Sequence, residues 1–166
     1  MRKTVFFFIG LLMAAFLLTT SFSLKETRKD WKPVFMYRAD LEQSVKYVRE
    51  KRPLKNPGKI YCKDNYIYVN ELYKGVHVID NSNPANPVKE GFITVPGCVD
   101  MAVKENILYV DNAVDLVAFD LESKRVTQRI KEALPEPPSP SGTRYYHEVE
   151  NRPKELILVG WEEVVE

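Results

Sequence analysis

A unit of about forty residues occurs twice in the middle of this chain, and that recurrence limits the possible folds more than any other feature. Asn65-Tyr66-Ile67-Tyr68-Val69-Asn70 matches Asn106-Ile107-Leu108-Tyr109-Val110-Asp111 at an offset of 41. Gly75-Val76-His77-Val78-Ile79-Asp80 matches Asp115-Leu116-Val117-Ala118-Phe119-Asp120 at 40, and Pro57-Gly58 matches Pro96-Gly97 at 39. The runs are short and rich in β-branched and aromatic residues, so each unit is a set of strands. A β-rich unit of this length marks a propeller blade or a related β-array. The expected fold class is all-β: two propeller-like four-stranded blades, an incomplete propeller, with one short N-terminal helix.

Each unit divides into four strands. Lys59 to Cys62 and Cys98 to Val103 open them, followed by tight turns in which Asn65 and Asn106 take the positive φ. Tyr66 to Asn70 and Ile107 to Asp111 are the second strands, and Val76 to Asp80 and Leu116 to Asp120 the third. The third strands are apolar on both faces, as in a sheet packed between neighbours. Val88 to Val95 and Arg125 to Ile130 complete the units.

Gly75-Val76-His77-Val78-Ile79-Asp80-Asn81-Ser82-Asn83-Pro84, then Asn86-Pro87, resembles the LVIVD repeat: an apolar strand ending in Ile-Asp, an Asn-Pro turn, and a strand closed by Pro-Gly. Asp115 to Asp120 is a poorer copy without the proline turn, and Trp31 to Met36 and Leu158 to Trp161 extend the likeness. The resemblance implies a propeller-like exported protein, commonly lipid-anchored, of no assigned activity. Two departures stand out: no anchor cysteine follows the leader, and the family's chains are usually much longer.

Two blades do not close a ring, which needs about 4 to 8. The chain is a truncated or split product, or completes its ring with copies or another chain, or forms a compact two-sheet domain. Residues 1–23 read as a signal peptide, with Met1-Arg2-Lys3, an uncharged run from Thr4 to Leu24, and Ser21 and Ser23 before the cut. The alternative is an anchor formed by residues 4–24, since 21 residues at about 1.5 Å each cross about 30 Å of hydrocarbon. Either places the rest outside the cytoplasm, in the periplasm, on the cell surface or secreted. Residues 24–56 form a basic arm, 57–134 the two repeats, 135–142 a stiff proline-rich linker, and 143–166 an end segment with a strand from Glu155 to Trp161.

The net charge of +1 gives no whole-chain case for nucleic acid, yet it conceals an asymmetry. Lys25 to Lys59 holds eleven basic and five acidic residues, and Ile60 to Glu166 eleven basic and eighteen acidic. The arm either meets an anionic surface, such as phosphorylated lipid headgroups or acidic glycans, or lies on the acidic body of its own fold. Within it Leu41, Val45 and Val48 recur at helical spacing and Glu42 is four residues before Lys46, which predicts a helix from Ala39 to Glu50.

Candidate ligand-binding residues are Asp100, in the apolar run Val99 to Val103 of a strand that would line a propeller channel, with Asn70, Glu71 and Asp111. Asp80 and Asp120 recur, so they are expected to close turns by accepting backbone hydrogen bonds. Asp111 and Asp115 lack the glycine-centred acidic loop of a calcium site and read as solvated loop. His77 reads as a hydrogen-bonded core residue. Tyr145-Tyr146-His147 with Trp161 forms either an aromatic surface for carbohydrate or protein, or a cover for the core.

No nucleophile turn or phosphate loop occurs, and Cys62, His77, Cys98 and His147 lack zinc-site spacing, so no catalytic residue, cofactor or metal is expected. Cys62 shares the face of Ile60 and is expected to be buried, with Cys98 partly exposed. No disulfide between them is expected: the repeat offsets separate them axially by about 10 to 17 Å at about 3.3 Å per residue, against a bridged span of roughly 4.4 to 6.8 Å. These readings describe an exported, non-catalytic binding or assembly protein. It would engage a protein partner, or itself, through sheet edges, and touch membrane only through the leader or arm. The rival is a hydrolase or lyase using a propeller channel, which requires carboxylates converging around Asp100 or Asp111.

Overall fold

The computed structural model describes residues 30–140 and 146–164, Tyr146 and His147 by backbone alone. The expected signal peptide or anchor lies outside the described residues. In chain order the elements are β1 (Asp30–Tyr37), α1 (Arg38–Gln43), β2 (Lys46–Val48), β3 (Pro57–Lys63), β4 (Tyr66–Glu71), β5 (Gly75–Asp80) and β6 (Val88–Thr94). They continue with β7 (Met101–Lys104), β8 (Ile107–Asn112), β9 (Asp115–Asp120), β10 (Arg125–Ile130), α2 (Tyr146–Glu150) and β11 (Leu156–Val164). The described residues are mostly β, in antiparallel sheets that form no closed barrel among them. A five-stranded sheet has the order β2-β6-β5-β4-β3, a four-stranded sheet the order β10-β9-β8-β7, and β1 pairs with β11. No described helix is long and apolar enough to cross a membrane.

Register fixes which residues share a face, because successive side chains of a strand point oppositely. In the five-stranded sheet Tyr61, Tyr68, Val78 and Gly91 pair in one row, and Asn70, Val76 and Ile93 in another. In the four-stranded sheet the rows are Ala102, Tyr109, Ala118 and Gln128, then Asp111, Leu116 and Ile130. The sheets stack with β3 beside β7 and β2 beside β10. Tyr68, Val76, Val78 and Ile93 meet Val103, Leu108, Val110, Val117 and Phe119 in one core. Each fully buried side chain of this size contributes roughly 1.5–3 kcal/mol. A smaller core, with Leu41, Ala113, Val114, Ile157 and Val159, fastens α1 and the β1–β11 pair to the β8–β9 turn.

The outer face of the five-stranded sheet is partly covered by residues 49–56. The Arg52 guanidinium lies 4.6 Å from the centre of the Phe92 ring, and Lys89 Nζ donates to the Arg52 carbonyl at 2.9 Å. The N–H groups of Lys55 and Asn56 donate to the Glu71 carboxylate.

Four local expectations are corrected. The helix ends at Gln43, where the Ser44 N–H and hydroxyl both turn back to the Leu41 carbonyl at 3.2 and 2.7 Å. Glu42 pairs with Lys131 instead of Lys46, and Lys46–Val48 adds to the open edge of β6 as a fifth strand. The second unit's first strand starts at Met101: Cys98 belongs to a turn in which its N–H donates to the Val95 carbonyl and Gly97 has φ 82°. The positive φ values of the tight turns fall on Asp64 (51°) and Glu105 (53°), one residue before the asparagines. Residues 135–140, from the segment 135–142 read as a stiff linker, touch the body, with Trp161 Nε1 donating to the Pro137 carbonyl at 3.4 Å and the Tyr73 hydroxyl to that of Pro138 at 3.3 Å.

Candidate functional site

Three of the four candidate residues, Asn70, Asp100 and Asp111, meet around Cys98 where β3 runs beside β7. Asn70 is fully buried on the inner face of β4, and its Nδ2 donates to Cys98 Sγ at 2.7 Å. Its Oδ1 faces Gly58, where a Cβ would collide with it, and has no hydrogen-bond partner. Asp111 Oδ2 accepts the Asp100 N–H at 2.9 Å. Burial pushes the Asp111 carboxyl above its ordinary range, against the pull of that N–H.

Asp100 is not on a strand but immediately precedes β7. Its side chain is 56% exposed, pairs with Lys59 Nζ at 2.6 Å, and accepts the Met101 N–H at 2.6 Å. The Lys59 hydrogen bond outweighs desolvation and holds its carboxyl below the ordinary value. Cys98 is buried, and burial first, then the Asp111 charge, push its thiol well up, so it is no nucleophile at neutral pH. Cys62 is the exposed thiol, the reverse of the expectation, because the outer face it shares with Ile60 is uncovered there; both thiols are free. Lysine, thiol and backbone N–H groups thus engage this cluster, which joins the two sheets.

Glu71, next to Asn70, points to the opposite face. Burial alone would raise its pKa, but the Asn56 and Lys55 N–H groups and His77 together hold it below the ordinary value. His77 Nε2 lies 3.1 Å from Glu71 Oε2, and its ring meets Phe92 edge-on at 4.8 Å between centroids. Asp80 and Asp120 close turns as expected: Asp80 Oδ1 accepts the Ser82 N–H at 2.8 Å, and Asp120 Oδ1 those of Glu122 and Ser123 at 3.0 and 2.7 Å.

Asp115, read as solvated loop, is fully buried at the start of β9. It is held by Arg38 Nη1 and Arg129 Nη1, each at 2.8 Å, and by the Glu132 N–H at 3.1 Å. Burial would raise its pKa, and the Arg38 hydrogen bond, the Glu132 N–H and Arg129 together lower it. No sequence signal marks this cluster, since Arg38 is 77 residues away. Trp161 is buried and so is no part of an exposed aromatic surface; Tyr145 lies outside the described residues, as do the side chains of Tyr146 and His147.

A cleft of about 300 Å³ between the sheets, which sequence reading missed because both sheets build it, has Tyr47, Tyr66 and Tyr68 in its walls. Its Glu90 pairs with Lys124 at 3.2 Å, and Lys124 Nζ lies 3.9 Å from the centre of the Tyr47 ring. Burial pushes the Tyr68 phenol up to about 12, so it stays protonated. No group of three metal-ligating side chains occurs among the described residues.

Apolar surface is left open on the two outward sheet faces. On the four-stranded sheet, Tyr109 (39% exposed) and Ile130 (49%) border a shallow dent with Leu116, Ala118 and Gln128. On the five-stranded sheet, Ile60 is 61% exposed beside Cys62. Fold and surface together define an open-sheet, all-β protein whose candidate carboxylates are engaged in internal contacts. Comparison with family models, curated proteins and solved structures finds no match to this chain.

Proposed function

We propose that this chain is an exported, non-catalytic association protein built from LVIVD-like β repeats, two propeller-type blades that present a sheet face to a protein partner. One observation carries the reading. Tyr109, Leu116, Ala118 and Ile130 occupy the ladder positions that Tyr68, Val76, Val78 and Ile93 occupy in the five-stranded sheet. The latter set is packed in the core, while the former faces outward with Tyr109 and Ile130 exposed. Apolar patches of this kind are characteristic of association surfaces.

The test is a photo-crosslinking side chain at Tyr109 in the native host, compared with one at Tyr37, an exposed position on β1. A discrete protein adduct at Tyr109 and none at Tyr37 is expected. Absence of any adduct at Tyr109 refutes the association reading. Export is tested separately by N-terminal sequencing, with Leu24 expected as the first residue. An intact Met1 in the membrane fraction would establish the anchor instead.

A further inference from the structure

Resting on that association reading, we infer that the partner of the exposed face is a second copy of this chain, docked head to tail. The outer face of the four-stranded sheet in one copy covers the β3–β4 half of the five-stranded sheet's outer face in the next. The molecule already makes this interface once inside itself. There, the face holding Tyr68, Val78 and Ile93 packs against residues of the adjacent sheet that include Val103, Leu108 and Val110.

Moving each side of this interface by one repeat identifies two outward surfaces. Forty or forty-one residues after the first set come Tyr109, Ala118 and, by ladder position, Ile130; forty-one before the second come Cys62, Ile67 and Val69. The first surface lies on the uncovered face of the four-stranded sheet. The second lies on the outer face of the five-stranded sheet, where Ile60 and Cys62 are exposed. Val69 is already buried within the single chain, and Asp111, in the row of Leu116 and Ile130, is engaged by the Asp100 N–H at 2.9 Å. Tyr109, Ala118, Ile130, Ile60, Cys62 and Ile67 carry no charge, so bringing them together removes apolar area from water.

The two surfaces are different, so the contact is heterologous, and successive copies either close a ring or continue as a filament. Pairing the Tyr109 face with itself would oppose two identical rows, unlike the internal interface. Residues 49–56 cover part of the receiving face around Phe92 and Glu71. The intermolecular contact is therefore smaller than the internal one, and association should depend on concentration.

Cys62 supplies a native probe. Its repeat counterpart Val103 and the Tyr109 counterpart Tyr68 share one core cluster. The full gene product, purified from the host fraction in which it accumulates, is compared with its Tyr109→Cys variant by light scattering and by non-reducing gel after mild oxidation. The wild type is expected to gain mass with concentration. The variant is expected to give a disulfide-linked ladder whose peptides join Cys62 of one copy to position 109 of the next. Adding Cys62→Ser should abolish the ladder, and Ile60→Asp, on an exposed edge strand, should reduce it at least about tenfold, with circular dichroism confirming the fold of each variant. A wild type that stays monomeric, or links that join position 109 to itself after Cys62→Ser, overturns head-to-tail docking. If the cellular adduct at Tyr109 is a different protein and no Cys62 link forms, self-docking falls while the association reading stands. If neither adduct nor link appears, both fall.

Discussion

Asp115 fixes the position of the N-terminal elements, since it is the anion shared by Arg38, next to β1, and Arg129, on β10. Asp115→Ala takes from two guanidinium groups the buried carboxylate they share, leaving Arg38 only the exposed Glu132 at 3.6 Å, and we expect a loss of about 3–5 kcal/mol in urea denaturation. Its folded pKa is depressed, so the stability it supplies is present above its unfolded value of about 4 and is lost as pH falls through the lower folded value. Glu71 acts in the same direction. Stability should thus fall in acid, less steeply in Asp115→Asn than in wild type. Asp111 has the opposite sign: its raised folded pKa makes the ionised form unfavourable once pH exceeds the unfolded value. Asp111→Asn should raise the denaturation midpoint at pH 7 and leave it nearly unchanged at about pH 3. Thiol titration should show one fast group, Cys62, and one, Cys98, that reacts only on unfolding.

The strands follow local pattern closely, whereas the helix does not. Tyr66–Glu71 and Gly75–Asp80 fall within a residue of the expected runs because both are runs rich in β-branched and aromatic residues bounded by turns. Lys46–Val48 carries the apolar spacing of a helix, yet Tyr47 and Val48 also suit a strand, and the open edge of β6 settles the choice. Gly91 makes room for that addition, since a Cβ there would collide with the Tyr47 ring and the Val48 carbonyl. The equivalent ladder position in the four-stranded sheet is Gln128, and among the described residues no fifth strand lies there. Gly91→Val should therefore detach β2 at a cost of about 1–3 kcal/mol. Loss of hydrogen-exchange protection confined to β2 and β6 is the expected signature, and unchanged protection in β2 would contradict it.

At the scale of the molecule, the two ends of the described chain hold each other. β1 pairs with β11 across eight residue pairs, and Ile157 and Val159 join Leu41 in the smaller core. The larger core between the stacked sheets contains no residue of either strand. A chain ending at residue 155 should lose hydrogen-exchange protection in β1 and α1 while β4, β5, β8 and β9 keep theirs. Collapse of protection in all strands at once would show that the two cores fold as one cooperative unit.

The sequence by itself determined the second, third and fourth strands of each unit and the turn aspartates, because both depend on residues close together in the chain: runs rich in β-branched and aromatic residues, and Asp80 reaching Ser82. It also located Asn70, Asp100 and Asp111 as polar residues in β-rich surroundings, and the fold brings these three together. Tertiary structure alone decided that Glu71 faces away from them, since that depends on which side of β4 meets the second sheet. It also decided that Asp115 is buried between two arginines, and that Cys62 is exposed while Cys98 is not. These outcomes rest on chain segments tens of residues apart, such as Arg38 and Asp115, whose approach is set by how sheets stack and leaves no periodicity in the local sequence.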